Sequence, residues 1–210
     1  MDLLLLVVLI LGISFVLRTK AQKQRIAALA HYLRNFDIEK LMERLVGSYM
    51  RALDEQDPAR QQQIWDLQQP TENSLASQFA NFADAIGKAP EPANGANFQV
   101  STLAIAFPFS HLIEKLQGQR NSFDLRTAIR IHADGIGRVV ANTANRSPKD
   151  RAFTLLAEMY LMQHTCHWYC KSKAVASARM QLRNRTTYEQ VVQSVSPETR
   201  NAYLALVGGK

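Results

Sequence analysis

Residues 3–17, LLLLVVLILGISFVL, hold no charge, and residues 18–25 directly behind them read RTKAQKQR. As a helix the apolar run is about 22 Å long, against a bilayer hydrocarbon core of about 30 Å. Arg18 and Lys20 can lengthen the span by reaching to the headgroups, and a bilayer thins around a short helix. A cleaved signal peptide carries basic residues before its apolar run and small residues at a cleavage site after it. Here Asp2 precedes the run and no Ala-x-Ala pattern follows it. A helix lying in the interface is the other alternative. The reading adopted is a single-pass membrane anchor with its juxtamembrane basic segment over residues 1–25. Arg18, Lys20, Lys23 and Arg25 all lie C-terminal to the run, the side that stays in the cytoplasm. The N-terminus is therefore expected outside the inner (plasma) membrane and residues 26–210 in the cytoplasm.

Those residues suffice for one soluble domain with a core of its own. The formal net charge is +7, of which the first 25 residues supply +3, so the body is only mildly basic. Nucleic-acid proteins concentrate charge more strongly, whereas a modest positive bias suits a domain beside anionic lipid. Expected partners are the membrane and another membrane-proximal protein or a second copy of the chain, not nucleic acid. Two cysteines are too few for a disulfide scaffold, and a cytoplasmic setting keeps them reduced.

Working outward from the anchor, the apolar spacing is helical almost throughout. Ile38, Leu41, Met42, Leu45, Val46, Tyr49, Met50 and Leu53 form one stripe behind a candidate cap at Asp37. Asp57-Pro58 reads as a cap and first helical position, and a further start near Thr71 leads through Leu75, Phe79, Phe82, Ala83 and Ile86 to a stop at Gly87. The stretch KAPEPANGAN, residues 88–97, sets a loop at 87–98. Beyond it, residues 98–116 fit either a short strand ahead of Pro108 or a helix interrupted by that proline, and helix is the expectation. Leu125, Ala128, Ile129, His132, Ile136, Val139 and Val140 form the next stripe. Ser147, Pro148 and Asp150 resemble a capping box opening the longest soluble helix, which is expected to run towards Leu182. Ser196, Pro197 and Glu198 repeat that device for a last helix closed by Gly208 and Gly209. The fold class is all-α: an anchor helix and a bundle of about six helices.

QHTCHWYCKSK, residues 163–173, concentrates the available chemistry in His164, Cys166, His167 and Cys170. Imidazole and thiolate both suit zinc, and thiolate suits other transition metals. On a helix, two or three of these side chains can converge on one ion, with His132 of the preceding helix as a fourth ligand. The spacing matches neither a zinc finger nor a haem-attachment motif, and free cysteine in a helical core is commonly a small buried apolar residue. An exposed thiol beside Lys171 and Lys173 would instead be reactive. No acidic residue occurs between Glu158 and Glu189, so Lys171, Lys173, Arg179, Arg183 and Arg185 form a basic patch facing lipid headgroups or solvent. Ala174, Ala176, Ser177 and Ala178 among them allow another helix to approach closely. Gly135 and Gly137 sit inside a helical stripe with no strand before them, which argues for helix packing or a kink, not a dinucleotide site. No catalytic motif is present, so no catalytic residue and no resident cofactor are assigned. The expected function is that of a membrane-anchored cytoplasmic adaptor, scaffold or assembly factor that binds protein and anionic headgroups. The alternative is a metal- or redox-responsive sensor using zinc or another thiolate-binding metal at residues 164–170.

Overall fold

The computed structural model describes residues 2–91, 97–102 and 122–208. Helices α1 (Asp2–Leu33), α2 (Ile38–Asp54) and α3 (Pro58–Gly87) precede a two-stranded hairpin of β1 (Gln99–Ser101) and β2 (Ser122–Asp124). Helices α4 (Leu125–Val140), α5 (Pro148–Cys170), α6 (Lys173–Asn184), α7 (Tyr188–Ser194) and α8 (Pro197–Val207) follow. The fold is all-α, with α1 and seven body helices among the described residues. α3 packs between α2 and α4, and α5 lies against α4 on one side and α6 and α7 on the other.

The stripe on α2 is the one its spacing dictates: Ile38, Leu41, Met42, Leu45 and Tyr49 are buried. They join Leu75, Phe79, Phe82 and Ile86 of α3 and Leu155 and Met159 of α5 in one core. A smaller cluster joins Leu161 of α5 to Met180, Tyr188, Val191 and Tyr203. Burying side chains of this size contributes about 1.5–3 kcal/mol each, which is what holds the short helices α7 and α8 in place.

The structure departs from the sequence reading at several element boundaries and caps. The helices expected to start at Pro58 and Thr71 are one, 30 residues long, with Pro70 inside it. Pro70 lies on an exposed turn, so the Asp66 carbonyl that loses its amide partner faces water. The helix expected from Pro148 towards Leu182 divides at Lys171, leaving α3 the longest helix of the body. Ser172 caps the new start by accepting from the Val175 amide at 3.3 Å, and α6 folds back so that Ala176 and Met180 are buried. An unbroken helix would have carried both into solvent. The segment expected to be helical begins as β1, paired antiparallel with β2 in the register Val100↔Phe123. Only Val100 of its three residues is buried, the alternation of a strand, and its partner strand comes from more than twenty residues further along. Residues 103–121, including Pro108 and the rest of that expectation, lie outside the described residues, as do 92–96 of the expected loop and Gly209. Finally, Asp37 makes no side-chain cap and instead pairs with Lys40 at 2.9 Å.

The α4, α5 and α8 crossing is built on polar groups. Ser196 does not cap α8; its hydroxyl and amide donate to Glu158 Oε1 at 2.6 and 3.1 Å. Thr199 Oγ1 lies 2.9 Å from Ser196 Oγ and accepts from Arg138 at 3.5 Å. Gly135 lets α4 approach this group, because a Cβ there would sit 2.6 Å from Glu158 Oε2 and closer still to Thr199 Oγ1. Helix packing, not a kink, accounts for this glycine.

Candidate functional site

Helix α1 is long and apolar enough to cross a membrane, and none of its apolar window is buried against the body. The same helix continues unbroken into the fold. Ala28 and Leu29 are buried, Gln22 Oε1 accepts from Lys171 Nζ at 2.8 Å, and Arg25 donates to the Tyr169 carbonyl at 3.4 Å with its guanidinium 5.7 Å from the Tyr169 ring. Gln22 stands only about 7.5 Å along the helix from Leu17, the last residue of the apolar run. The body is therefore clamped directly behind that run, with the C-terminal end of α5 closest to it. Lys20, Lys23, Arg25 and Lys171 gather at this level; Lys173 caps the faces of Trp168 and Tyr188 at 5.2 and 4.6 Å. Arg179 and Arg183 lie further along α6 and Arg185 just past its end; α6 runs back along α5 and places Ser177 beside His164. The basic residues of the sequence thus divide into a collar at the foot of α1 and an arginine row on α6.

The four residues at 164–170 diverge around α5. His164 is buried, its Nε2 3.0 Å from Ser177 Oγ and its ring centroid 4.6 Å from that of Tyr188, the two planes tilted by 34°. Cys166 points the other way, donating to Met162 Sδ at 3.8 Å. His167 is half-buried towards Arg179 and Arg183, and burial, helped by those two cations, holds its pKa below the usual histidine range. Cys170 turns to Arg25, yet burial outweighs Arg25, Lys171 and Arg179 and pushes its thiol up to about 11. Burial pushes the Cys166 thiol higher still. At neutral pH both are thiols, not nucleophilic thiolates. His132 is fully buried with its Nε2 2.9 Å from Thr165 Oγ1, and burial pulls His132 and His164 each down to about 3. Among the described residues no three His, Cys, Asp or Glu side chains converge as ligands for a metal ion.

The structure brings together a different constellation. Two adjoining cavities, of about 380 and 250 Å³, form a groove over α5 between α2 and α6 and share Tyr160, Gln163, His167, Arg183 and Asn184. Leu33, Met42, Val46, Phe82, Met162 and Cys166 supply an apolar floor to the larger one. Exposed Glu39 and Glu43 stand on the α2 wall, and exposed Arg179 and Arg183 on the α6 wall. Sequence reading singled out Cys166, His167, Arg179 and Arg183 but neither the two glutamates nor the groove: in the chain, Glu39 and Glu43 belong to an ordinary solvated helix face, and only the fold-back of α6 sets two arginines opposite them. A second buried group, Glu72, receives a 2.5 Å hydrogen bond from Tyr49 and pairs with Arg151 at 3.0 Å, tying α2, α3 and α5 together. Compared with protein-family models, curated proteins and solved structures, the chain matches none.

Proposed function

We propose that this chain is a membrane-tethered binding protein, an adaptor, scaffold or assembly factor whose helical body stands on the cytoplasmic face of the inner membrane. The observation that carries this reading is the continuity of α1 from its exposed apolar half to Ala28 and Leu29 in the core. A helix without a break holds the body at a fixed height and orientation, where a flexible linker would leave both free. Such tethering raises the effective concentration of a binding surface towards partners in the same membrane. The collar of Lys20, Lys23 and Lys171 favours anionic headgroups at that height. The groove, lined by apolar and charged side chains without a catalytic pair, suits recognition of a surface.

The test combines carbonate extraction with protease protection of a C-terminally tagged chain. The tag should stay with carbonate-washed membranes, survive protease outside intact spheroplasts and be digested in inverted vesicles. Inserting a flexible Gly-Ser segment between Thr19 and Gln22 should lower the yield of in-cell crosslinks to neighbouring membrane proteins. Release by carbonate, or a tag cleaved from outside, refutes the reading.

A further inference from the structure

We propose that the groove over α5 seats one amphipathic helix of a partner protein, basic along the edge facing α2 and acidic along the edge facing α6. This rests on the tethered-binding reading and names the chemistry of the partner.

The groove is longer than its enclosed part. Tyr160, Gln163 and His167 follow the three-and-four spacing of one α5 face, and Phe153, seven residues before Tyr160, falls on that face while half exposed. On α2 the lining residues Glu39, Glu43 and Val46 lead by the same steps to Met50, also half exposed. The two helices run antiparallel: Glu39 and Cys166 line the groove together, while Tyr49 and Arg151 meet at Glu72 at the other end. Met50 and Phe153 therefore mark the same far end. From His167 to Phe153 the floor extends about 21 Å, the length of a helix of about 14 residues. Leu182, 85% exposed, stands at the α6 lip. Three large apolar side chains are thus bare around an apolar floor, the arrangement read by helix-in-groove partners through anchors at i, i+3 or i+4, and i+7.

Charge selects the occupant. Glu39 and Glu43 are spaced i, i+4 on one wall and Arg179 and Arg183 i, i+4 on the other, and none of the four forms an ion pair with another described residue. The acidic wall repels an anionic lipid or nucleic acid, which the arginine wall alone would have attracted. A second copy would set concave surface against concave surface and leave the floor unfilled. A helix with an apolar stripe between a basic and an acidic edge fills the floor and satisfies both walls in one orientation only.

The experiment uses the full-length protein in nanodiscs and a phage-displayed library of 14-residue helical peptides, with a fixed leucine stripe and edge positions varied among Lys, Glu and Gln. Selection should enrich Lys on one edge and Glu on the other, always in the same sense around the stripe. Against the Glu39→Lys/Glu43→Lys protein an enriched peptide should bind about tenfold more weakly, the sum expected of a few rim charge pairs. A benzophenone side chain at position 153 should crosslink to that peptide. Absence of edge enrichment, unchanged affinity in the charge-reversed protein, or crosslinking at position 153 to a second copy or to lipid overturns the proposal. Both glutamates are exposed, so the variant should keep the wild-type melting temperature. If carbonate-resistant membrane association persists while edge enrichment fails, the groove assignment falls and the tethered-binding reading stands; loss of that association in the wild type removes the latter.

Discussion

Two glycines separated by one residue on α4 meet opposite surroundings, and alanine at each should move stability in opposite directions. A Cβ at Gly135 lands 2.6 Å from Glu158 Oε2 and 3.0 Å from Glu158 Cδ, and closer still to Thr199 Oγ1. Neither neighbour can swing aside. Glu158 is held by the Ser196 amide and hydroxyl, and Thr199 by Ser196 and Arg138. Restoring an ordinary contact requires the carboxylate to retreat by about 0.8 Å, which separates α4 from α5 and α8. Overpacking of this kind costs about 1–3 kcal/mol, and weakened hydrogen bonds to a buried carboxyl add roughly 1–2 kcal/mol. Alanine in a helix returns roughly 0.5–1 kcal/mol. The net loss is about 1–4.5 kcal/mol, which in a chain of this size lowers the melting temperature by about 2–18 °C. At Gly137 the space within 4 Å of where a Cβ would stand is open, so Gly137→Ala keeps the helix-propensity gain and should raise the melting temperature by a few degrees. Thermal unfolding of the two full-length variants in the same detergent, followed by near-ultraviolet circular dichroism, gives the comparison. If Gly135→Ala melts at or above the wild type, the close crossing at Glu158 does not exist.

Acid should destabilise the fold between pH 6.5 and 3. Burial keeps His132 and His164 neutral down to about pH 3 in the fold, while unfolded they take up protons near pH 6.5. Their contribution is thus complete above 6.5 and lost as the pH falls, roughly 3–5 kcal/mol for the pair by pH 4.5. Urea midpoints at pH 7 and 4.5 measure it, and an unchanged midpoint would show that the rings are not buried. Arg151→Ala strands the carboxylate of Glu72, 2% exposed on its side chain, and should cost about 3–5 kcal/mol; Arg130→Ala removes an ion pair to Asp84 whose partners are each about half exposed and should leave the melting temperature in place. A similar melting temperature for both variants would refute the buried-pair assignment. Cys166 and Cys170 should react with iodoacetamide at pH 7.5 far more slowly in the folded protein than in urea, since burial raises both thiols. Equal rates, or near-stoichiometric zinc lost in a Cys166→Ser/Cys170→Ser protein, would favour the alternative sensor reading over the adaptor reading.

Local signals were legible in the sequence wherever one helix buries one face. The α2 and α4 stripes follow from three-and-four spacing alone, and the caps Asp57 and Ser147 act within three residues of themselves, whereas Asp37 and Ser196 turn to other partners. The apolar run and the basic residues behind it likewise needed no tertiary information. What escaped depends on partners distant in the chain. α5 is buried on nearly every side, so no stripe marks its neighbours or the place where it ends; the break at Lys171 is decided by what Ala176 and Met180 find to pack against. Val100 reads equally as helix or strand until Phe123 pairs with it. Clustering of His164, Cys166, His167 and Cys170 in seven residues is visible in the sequence, but neighbours as distant in the chain as Ser177 beside His164 and Arg25 beside Cys170 are not. The acidic and basic walls of the groove lie some 140 residues apart. Sequence determined the long apolar N-terminal helix, the helical class and the residues available for chemistry, because those depend on local spacing and composition; tertiary structure decided which of them face one another, because that depends on how helices turn and fold back.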